Sequence, residues 1–402
     1  MSNDERILVL TTEFPYPLDN GGKIRTYNMI KGISEKYNID LICFSESDRL
    51  NIGDLKNLCS NIKIVHKIFT NSKSKINVLI KLLKCVLSNN PFIVQKFVDK
   101  QYLKLIKKFI NNNNYNTILF DHLNITIYAK YIDDLKINKI LSQHNCEYLI
   151  LKRRYENEKN IFKKIYLKYE YKKTKQYEES MCKKFDNVIV LTEEDKNCIC
   201  NNNYKGSNIS IIPISVDTNY TKKNYNNCVK KLLFLGTMSW YPNEHGILWF
   251  LENVWPAILN KCSDMQLYIV GKNPSNEIKK YDGNNVIVTG YVDDVNEYIE
   301  LCDICVVPLF IGGGMRVKIL ECMSKGIPII STSIGAEGIN YVDGKNVFIA
   351  NSKKEFIEGI YELNNNNVYR TIKDNGINLI KNEYSIDIIS KRFIDIVNEN
   401  IY

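Results

Sequence analysis

The sequence predicts an α/β chain of two Rossmann-like domains facing across a cleft, on three observations. Its 402 residues exceed what one hydrophobic core holds and suit two domains of roughly 150 to 200 residues. Short apolar runs alternate with helical stretches along the whole chain, the pattern of parallel sheets covered on both faces. Three of the later runs end in glycine, and in open parallel sheets ligands bind beyond the carboxyl ends of the strands.

The elements follow in order. Residues 6–12 (RILVLTT) read as a strand that runs into Pro15, Pro17 and the pair Gly21-Gly22, with a helical pattern from there through Lys36. Further strand-like runs stand at 39–44, 62–66, 117–120, 139–142 and 187–191, separated by helical stretches. Residues 147–186 are charged, Tyr-rich and free of Gly and Pro, and predict one long helix or a broken pair with a local excess of positive charge. The run 209–213 ends this series, and the polar, turn-rich 218–227 (TNYTKKNYNN) marks a division into a first domain at 1–222 and a second at 223–380. The second series comprises 231–236 (KLLFLG), 266–271 (QLYIVG), 285–290 (NVIVTG), 304–308 (ICVVP), 327–331 and 346–350. Residues 386–397 form an amphipathic pattern, so 381–402 is expected as a C-terminal helix packing back toward the first domain.

Composition excludes several classes. A hydrophobic fraction of 45% and a charged fraction of 25% are globular averages, which argues against disorder and fibres. The twelve cysteines lack the paired spacing and His partners of a zinc site, and are expected as reduced thiols of a cytosolic protein. Asp4, Glu5 and Arg6 pass straight into a short apolar run, so no signal peptide is expected, and no apolar stretch nears the ~18 to 20 residues of a membrane span. The net charge of +9 is concentrated in 61–110, where eleven Lys face one acidic residue, Asp99. Segments 76–87 and 98–110 set Lys81 and Lys84, then Lys100, Lys104, Lys107 and Lys108, opposite Leu/Ile faces. Such helices either show a solvated lysine face over a core or lie on an anionic membrane surface, which would place the protein in the cytoplasm or peripherally on the inner face of the membrane. No recognition module accompanies these lysines, so no nucleic-acid partner is expected.

The densest chemistry lies at 312–321 (GGGMRVKILE), between a buried strand and a helix. Gly312, Gly313 and Gly314 can turn backbone N–H groups toward a phosphate at a helix N-terminus. Arg316 and Lys318 bring positive charge that could neutralise a diphosphate, and Glu321 an acceptor for ribose hydroxyls. Gly21 and Gly22, with Lys23 and Arg25, form a second glycine turn after the first strand. His122 and His144 each follow a strand-like run and are expected at its carboxyl end, and Asn243 in a Tyr-Pro-Asn turn is a further polar candidate. No Gly-x-Gly-x-x-Gly follows the first strand, which disfavours a nicotinamide-dependent dehydrogenase.

The stretch PLFIGGGMRVKILECMSKGIPIISTSIGAEGI resembles the donor-binding region of GT-B glycosyltransferases, in particular the retaining family 4 group, in its branch with a GGG-x-R-x-K-x-L-E signature. FLGTMSWYPN, YIVG, VIVTGYVDDV and LCDICVVPL precede it in that family's order, and LTTEFPYPLDNGGKIRTYNM, SQHNCEY, FDNVIVLTEED and IIPISVDT resemble landmarks of its first domain. The resemblance implies a metal-independent transferase that moves a sugar, with retention, from a nucleoside-diphosphate sugar to a hydroxyl acceptor. Cell-surface polysaccharide, lipopolysaccharide or lipid-linked saccharide would be the acceptor, and no cofactor beyond the donor is implied. Glu321 matches the glutamate that holds the donor ribose, Val292 falls in a turn with nucleobase contacts, and His122 lies near a histidine that touches sugar and acceptor. The sequence departs at Gly313, where a first motif glutamate is usual, and after Gly236, where an Arg and a Lys commonly grip the diphosphate; Arg316 and Lys318 would take over that grip. A catalytically silent nucleotide-binding scaffold and a non-hydrolysing nucleotide-sugar epimerase are the alternatives on the same fold.

Overall fold

Leu, Ile and Val dominate the strands because each is covered on both faces, so successive side chains enter two different cores. The computed structural model describes residues 5–47, 50–69, 88, 90–199, 208–218, 228–283, 285–312 and 314–399. The chain divides into unit 1, residues 1–213 with 389–402, and unit 2, residues 214–388. The expected helix at 76–87, with Lys81 and Lys84, and the expected site residue Gly313 lie outside the described residues.

Unit 1 holds β1 (Arg6–Thr11), β2 (Asn38–Ser45), β3 (Asn61–His66), β4 (Thr117–Asp121), β5 (Asn138–Ser142), β6 (Asn187–Val190) and β7 (Asn208–Ile211). Their order is β3-β2-β1-β4-β5-β6-β7, and every pairing is parallel. In β1, Leu8 and Leu10 join a core with Phe44, Tyr102, Ile118 and Phe120, whereas Ile7 and Val9 join another with Ile30, Ile33, Leu41 and Leu119. The edge strand β7 completes the sheet in the run that sequence alone read as the end of the series. The helix Gly21–Ile33 starts where Asn20 accepts from the Lys23 N–H at 2.9 Å. Residues 147–186 fold as a broken pair, Glu147–Asn157 and Ile161–Cys182, the second helix capped by Asn160, which accepts from the Phe162 and Lys163 N–H groups. The C-terminal helix Ile386–Glu399 adds Ile389, Phe393, Ile396 and Val397 to the core of unit 1, passing so close to Gly32 that a Cβ there would stand 1.7 Å from Ser390 Oγ.

Unit 2 holds β8 (Lys231–Leu235), β9 (Gln266–Val270), β10 (Val286–Gly290), β11 (Ile304–Val307), β12 (Ile329–Ser331) and β13 (Phe348–Ile349) in the order β10-β9-β8-β11-β12-β13, again all parallel. Both sheets reverse their direction of growth once, between β1 and β4 and between β8 and β11. At such a reversal the flanking connections leave on opposite faces and open a crevice at the strand ends. Among the described residues no helix is long and apolar enough to cross a membrane, and ten cysteines form no disulfide.

Candidate functional site

In unit 1 the reversal gathers a buried polar cluster. Thr11, the last residue of β1, is in register with Asp121, the last of β4, and donates from Oγ1 to Asp121 Oδ2 at 3.2 Å. Thr26, on the first helix, donates to the same oxygen at 2.5 Å. The other oxygen, Oδ1, meets His144 Nε2 at 2.8 Å, while His122 Nδ1 lies 2.8 Å from the Asp121 carbonyl and 3.5 Å from its carboxylate. The two imidazoles stack with centroids 3.5 Å apart. His122 adopts a positive φ of 89°, which costs a non-glycine residue about 1–2 kcal/mol and persists because the strand end and its bonds over-determine it.

Charge is distributed unequally over this cluster. Burial pushes the Asp121 carboxyl up, but the two histidines and their hydrogen bonds outweigh it and hold the group well below the usual carboxylate range. Burial pulls His122 down, yet the Asp121 carboxylate beside it leaves the imidazole raised above its ordinary value. His144, depressed by burial and then by its neighbour His122, falls to about 3. A neutral His144 must therefore carry its proton on Nε2, toward Asp121, leaving Nδ1 as an acceptor on the side of Gly22, whose Cβ would stand 3.8 Å away. Asp121, His122 and His144 are the single trio of metal-ligating types among the described residues with donor atoms within 4.8 Å of one another. Their mutual bonds, with Thr11 and Thr26 on the second carboxylate oxygen, make them a hydrogen-bonded cluster.

In unit 2 three of the strands, β8, β9 and β10, end at glycines. Gly236 follows β8, Gly271 follows β9, and Gly290 ends β10. Gly236 donates to the Val270 carbonyl and Gly271 to the Gly290 carbonyl, each at 3.0 Å. A Cβ on Gly271 would stand 1.9 Å from the Gly236 carbonyl oxygen, so only glycine lets the two chain ends approach this closely. Lys318, the second residue of the helix Val317–Ser324, donates from Nζ to the Leu235 carbonyl at 2.7 Å and to Asn243 Oδ1 at 3.1 Å, while Asn243 Nδ2 donates to the Thr237 carbonyl at 3.0 Å. Burial pulls this ammonium down to about 8. Gly312 makes room for Arg316, whose Nη2 would stand 2.4 Å from a Cβ there. Glu321 is half-buried on the same helix, and burial raises its carboxyl to about 7 against the opposing charge of Lys325.

The structure thus brings Gly236, Asn243 and Lys318 into one contact set, sets Gly312 against Arg316, and stacks His122 on His144. Gly21 and Gly22 open the first helix, Gly314 adopts a φ of 79° before the Val317–Ser324 helix, and Val292 is half-buried in the turn after β10. Lys23 pairs with Asp19 at 2.9 Å. Arg25 is 5% exposed and donates to Ser142 Oγ at 3.1 Å and to the Ile212 carbonyl at 3.2 Å, so it ties the first helix to the ends of β5 and β7. Sequence reasoning missed Asp121, Thr11 and Thr26. Asp121 was legible only as a carboxylate closing the apolar run before His122; the threonines give no signal of their own.

Residues 229–366 match the family model described as glycosyl transferases group 1. A Klebsiella pneumoniae protein described as an uncharacterised 44.6 kDa protein in the cps region is 28% identical over 410 residues, covering 98% of this chain and all of its own. The fold is similar to sucrose-phosphate synthase from Thermosynechococcus elongatus, with a TM-score of 0.73 at 13% identity over 98% of this chain and 99% of that one. Anabaena HepE in complex with UDP and glucose gives a TM-score of 0.69 at 12% identity over 98% of this chain and all of HepE. A TarM variant from S. aureus, in complex with Fondaparinux, alpha-GlcNAc-glycerol and UDP, gives 0.70 at 15% identity over 98% of this chain and all of TarM. With two parallel α/β sheets, the chain has the GT-B fold of these glycosyltransferases, and unit 2 carries a region that matches the glycosyl transferases group 1 model.

Proposed function

We propose that the protein transfers a sugar from a nucleoside-diphosphate sugar to a hydroxyl of a glycan or glycolipid, with retention and without a metal ion. The observation that carries this reading is the row of glycines at the ends of β8, β9 and β10 in unit 2, with Lys318 bonded to the Leu235 carbonyl beside Gly236 and the half-buried Glu321 on the same helix. Backbone at Gly236 and Gly312 admits a diphosphate closely, and the charges of Arg316 and Lys318 stabilise it as it departs. Two of the three N–H donors of Lys318 are taken by Leu235 and Asn243, which aim the third. Glu321 accepts from ribose hydroxyls, and the turn at Val292 faces the base. The bond from the sugar C1 to phosphate oxygen breaks as the bond from C1 to the acceptor oxygen forms on the same face, and the acceptor proton passes to the departing phosphate. In unit 1, His122, whose imidazole the Asp121 carboxylate raises above its ordinary value, and the neighbouring His144 serve with Gly21 and Gly22 as hydrogen-bonding groups for the reactants. Lys23 and Arg25 serve the glycine turn by holding its flanks.

The UDP complexes of HepE and TarM support a nucleotide donor, and the alpha-GlcNAc-glycerol bound by TarM supports a glycan-type acceptor. The proposed site of action is the cytoplasmic face of the membrane. In the described part of 76–110, the helix Lys100–Asn112 buries Tyr102, Ile106 and Phe109 and shows Lys100, Lys104, Lys107 and Lys108, so it offers a lipid surface charge alone. The test is thermal stabilisation by UDP, GDP, ADP and CMP, with an Arg316→Ala, Glu321→Ala variant alongside. A concentration-dependent shift with one nucleotide, lost in the variant, is the expected result. No shift with any of them would favour the silent-scaffold reading.

A further inference from the structure

The helix Ile161–Cys182 wears its polarity inside out. Its buried residues are Leu167, Glu170, Thr174, Glu178 and Cys182. Its outward face carries Ile161 at 65% exposure, Phe162 at 80% and Ile165 at 63%, with Tyr169 at 43% one turn on. Spacings of three and four residues put these four side chains on one stripe. The inward polar groups are explained by packing. Glu178 accepts from the Glu147 and Tyr148 N–H groups, both at 3.1 Å, and so caps the preceding helix, while Glu170 accepts from the Phe92 N–H. Among the described residues of unit 1, the hydrogen bonds and core packing that explain the inward polar groups leave the outward apolar stripe exposed. Solvation alone produces the opposite arrangement, as the helix Lys100–Asn112 of the same unit shows.

Charge decides what covers the stripe. Lys159, Lys163, Lys168 and Lys172 are exposed around it, and between residues 159 and 173 six Lys stand against one acidic residue, the buried Glu170. A second copy seated on this stripe would bring two such patches together, and like charges repel. An anionic lipid surface satisfies both properties at once, apolar side chains entering the boundary of headgroups and acyl chains while lysines lie among the headgroups.

We propose that the tip of this helical hairpin, centred on Ile161, Phe162 and Ile165, docks the protein on an anionic bilayer. The inference stands independently of the proposed reaction. Its test is co-sedimentation of the full chain with vesicles of phosphatidylcholine alone and of phosphatidylcholine mixed with phosphatidylglycerol. Binding is expected on the anionic vesicles only, weakened by salt. A Phe162→Ser, Ile165→Ser variant and a separate Lys168→Gln, Lys172→Gln variant are each expected to lose about tenfold or more of that binding, with the nucleotide-induced thermal shift unchanged. A Phe162→Trp variant should shift its emission to the blue on the same vesicles. Equal binding to neutral vesicles, or undiminished binding in both multiple variants, overturns the proposal. So does a concentration-dependent dimer that the Phe162→Ser, Ile165→Ser variant abolishes, since that would identify a second copy as the occupant.

Discussion

At the reversal of unit 1 the strands end in Thr11, Asp121 and Ser142, whose side chains are engaged with one another and with Thr26, His144 and Arg25. On one side of the reversal of unit 2, β8, β9 and β10 end in or before Gly236, Gly271 and Gly290, and there backbone packs against backbone. The same topology therefore supports two kinds of strand end. One is a network of buried polar and charged groups, in which a member is costly to remove because its partners are left unsatisfied. The other is a bare cradle, in which the penalty lies in adding atoms.

Asp121→Ala should break the first kind most severely. It leaves His122, His144 and the two threonines without their shared acceptor, and a loss of about 3–5 kcal/mol in calorimetric unfolding is expected. A loss under about 1 kcal/mol would mean that the cluster is not coupled as its geometry implies. Gly271→Ala tests the second kind. Its Cβ meets the Gly236 carbonyl at 1.9 Å with a φ of +150°, so about 2–4 kcal/mol is expected. Gly290→Ala is the control: nothing lies within 4 Å of its Cβ, and only the positive φ penalises it, by about 1 kcal/mol. Equal losses at the two positions would show that close approach plays no part.

The pH response of Glu321 is a smaller effect than the loss expected at Gly271. Its folded value of about 7 lies above the ordinary 4.5, so the native state holds the extra proton. Stability should fall as pH rises from about 4.5 to about 7, by about 1–2 kcal/mol once solvent screening is allowed for. Glu321→Gln should remove that slope. If the carboxylate takes ribose hydroxyls, nucleotide binding should also release a proton near pH 7, measurable by calorimetry in buffers of different ionisation enthalpy, and the variant should not.

Much of this was legible beforehand where the signal is local. The alternating runs predicted the parallel sheets because a strand covered on both faces must be apolar throughout, and β1 to β6 and β8 to β13 fall within or against those runs. The glycine motif at 312–321 reads as a site because glycines, cations and an acid share one junction. Residues 147–186 announced helix and positive charge, but not which face would turn outward.

Sequence by itself determined the layered α/β class, the two series of strands and the glycines that end three of them, since propensity, periodicity and contiguous motifs act over a few residues. Only the tertiary structure decided that Lys318 aims at Leu235 and Asn243, that Arg25 is a buried tie, that Asp121 organises two histidines, and that Ile161, Phe162 and Ile165 face outward. Those outcomes depend on groups as far apart as Thr11 and Asp121, or Arg25 and Ser142, meeting where strand order reverses, and no local pattern encodes that meeting.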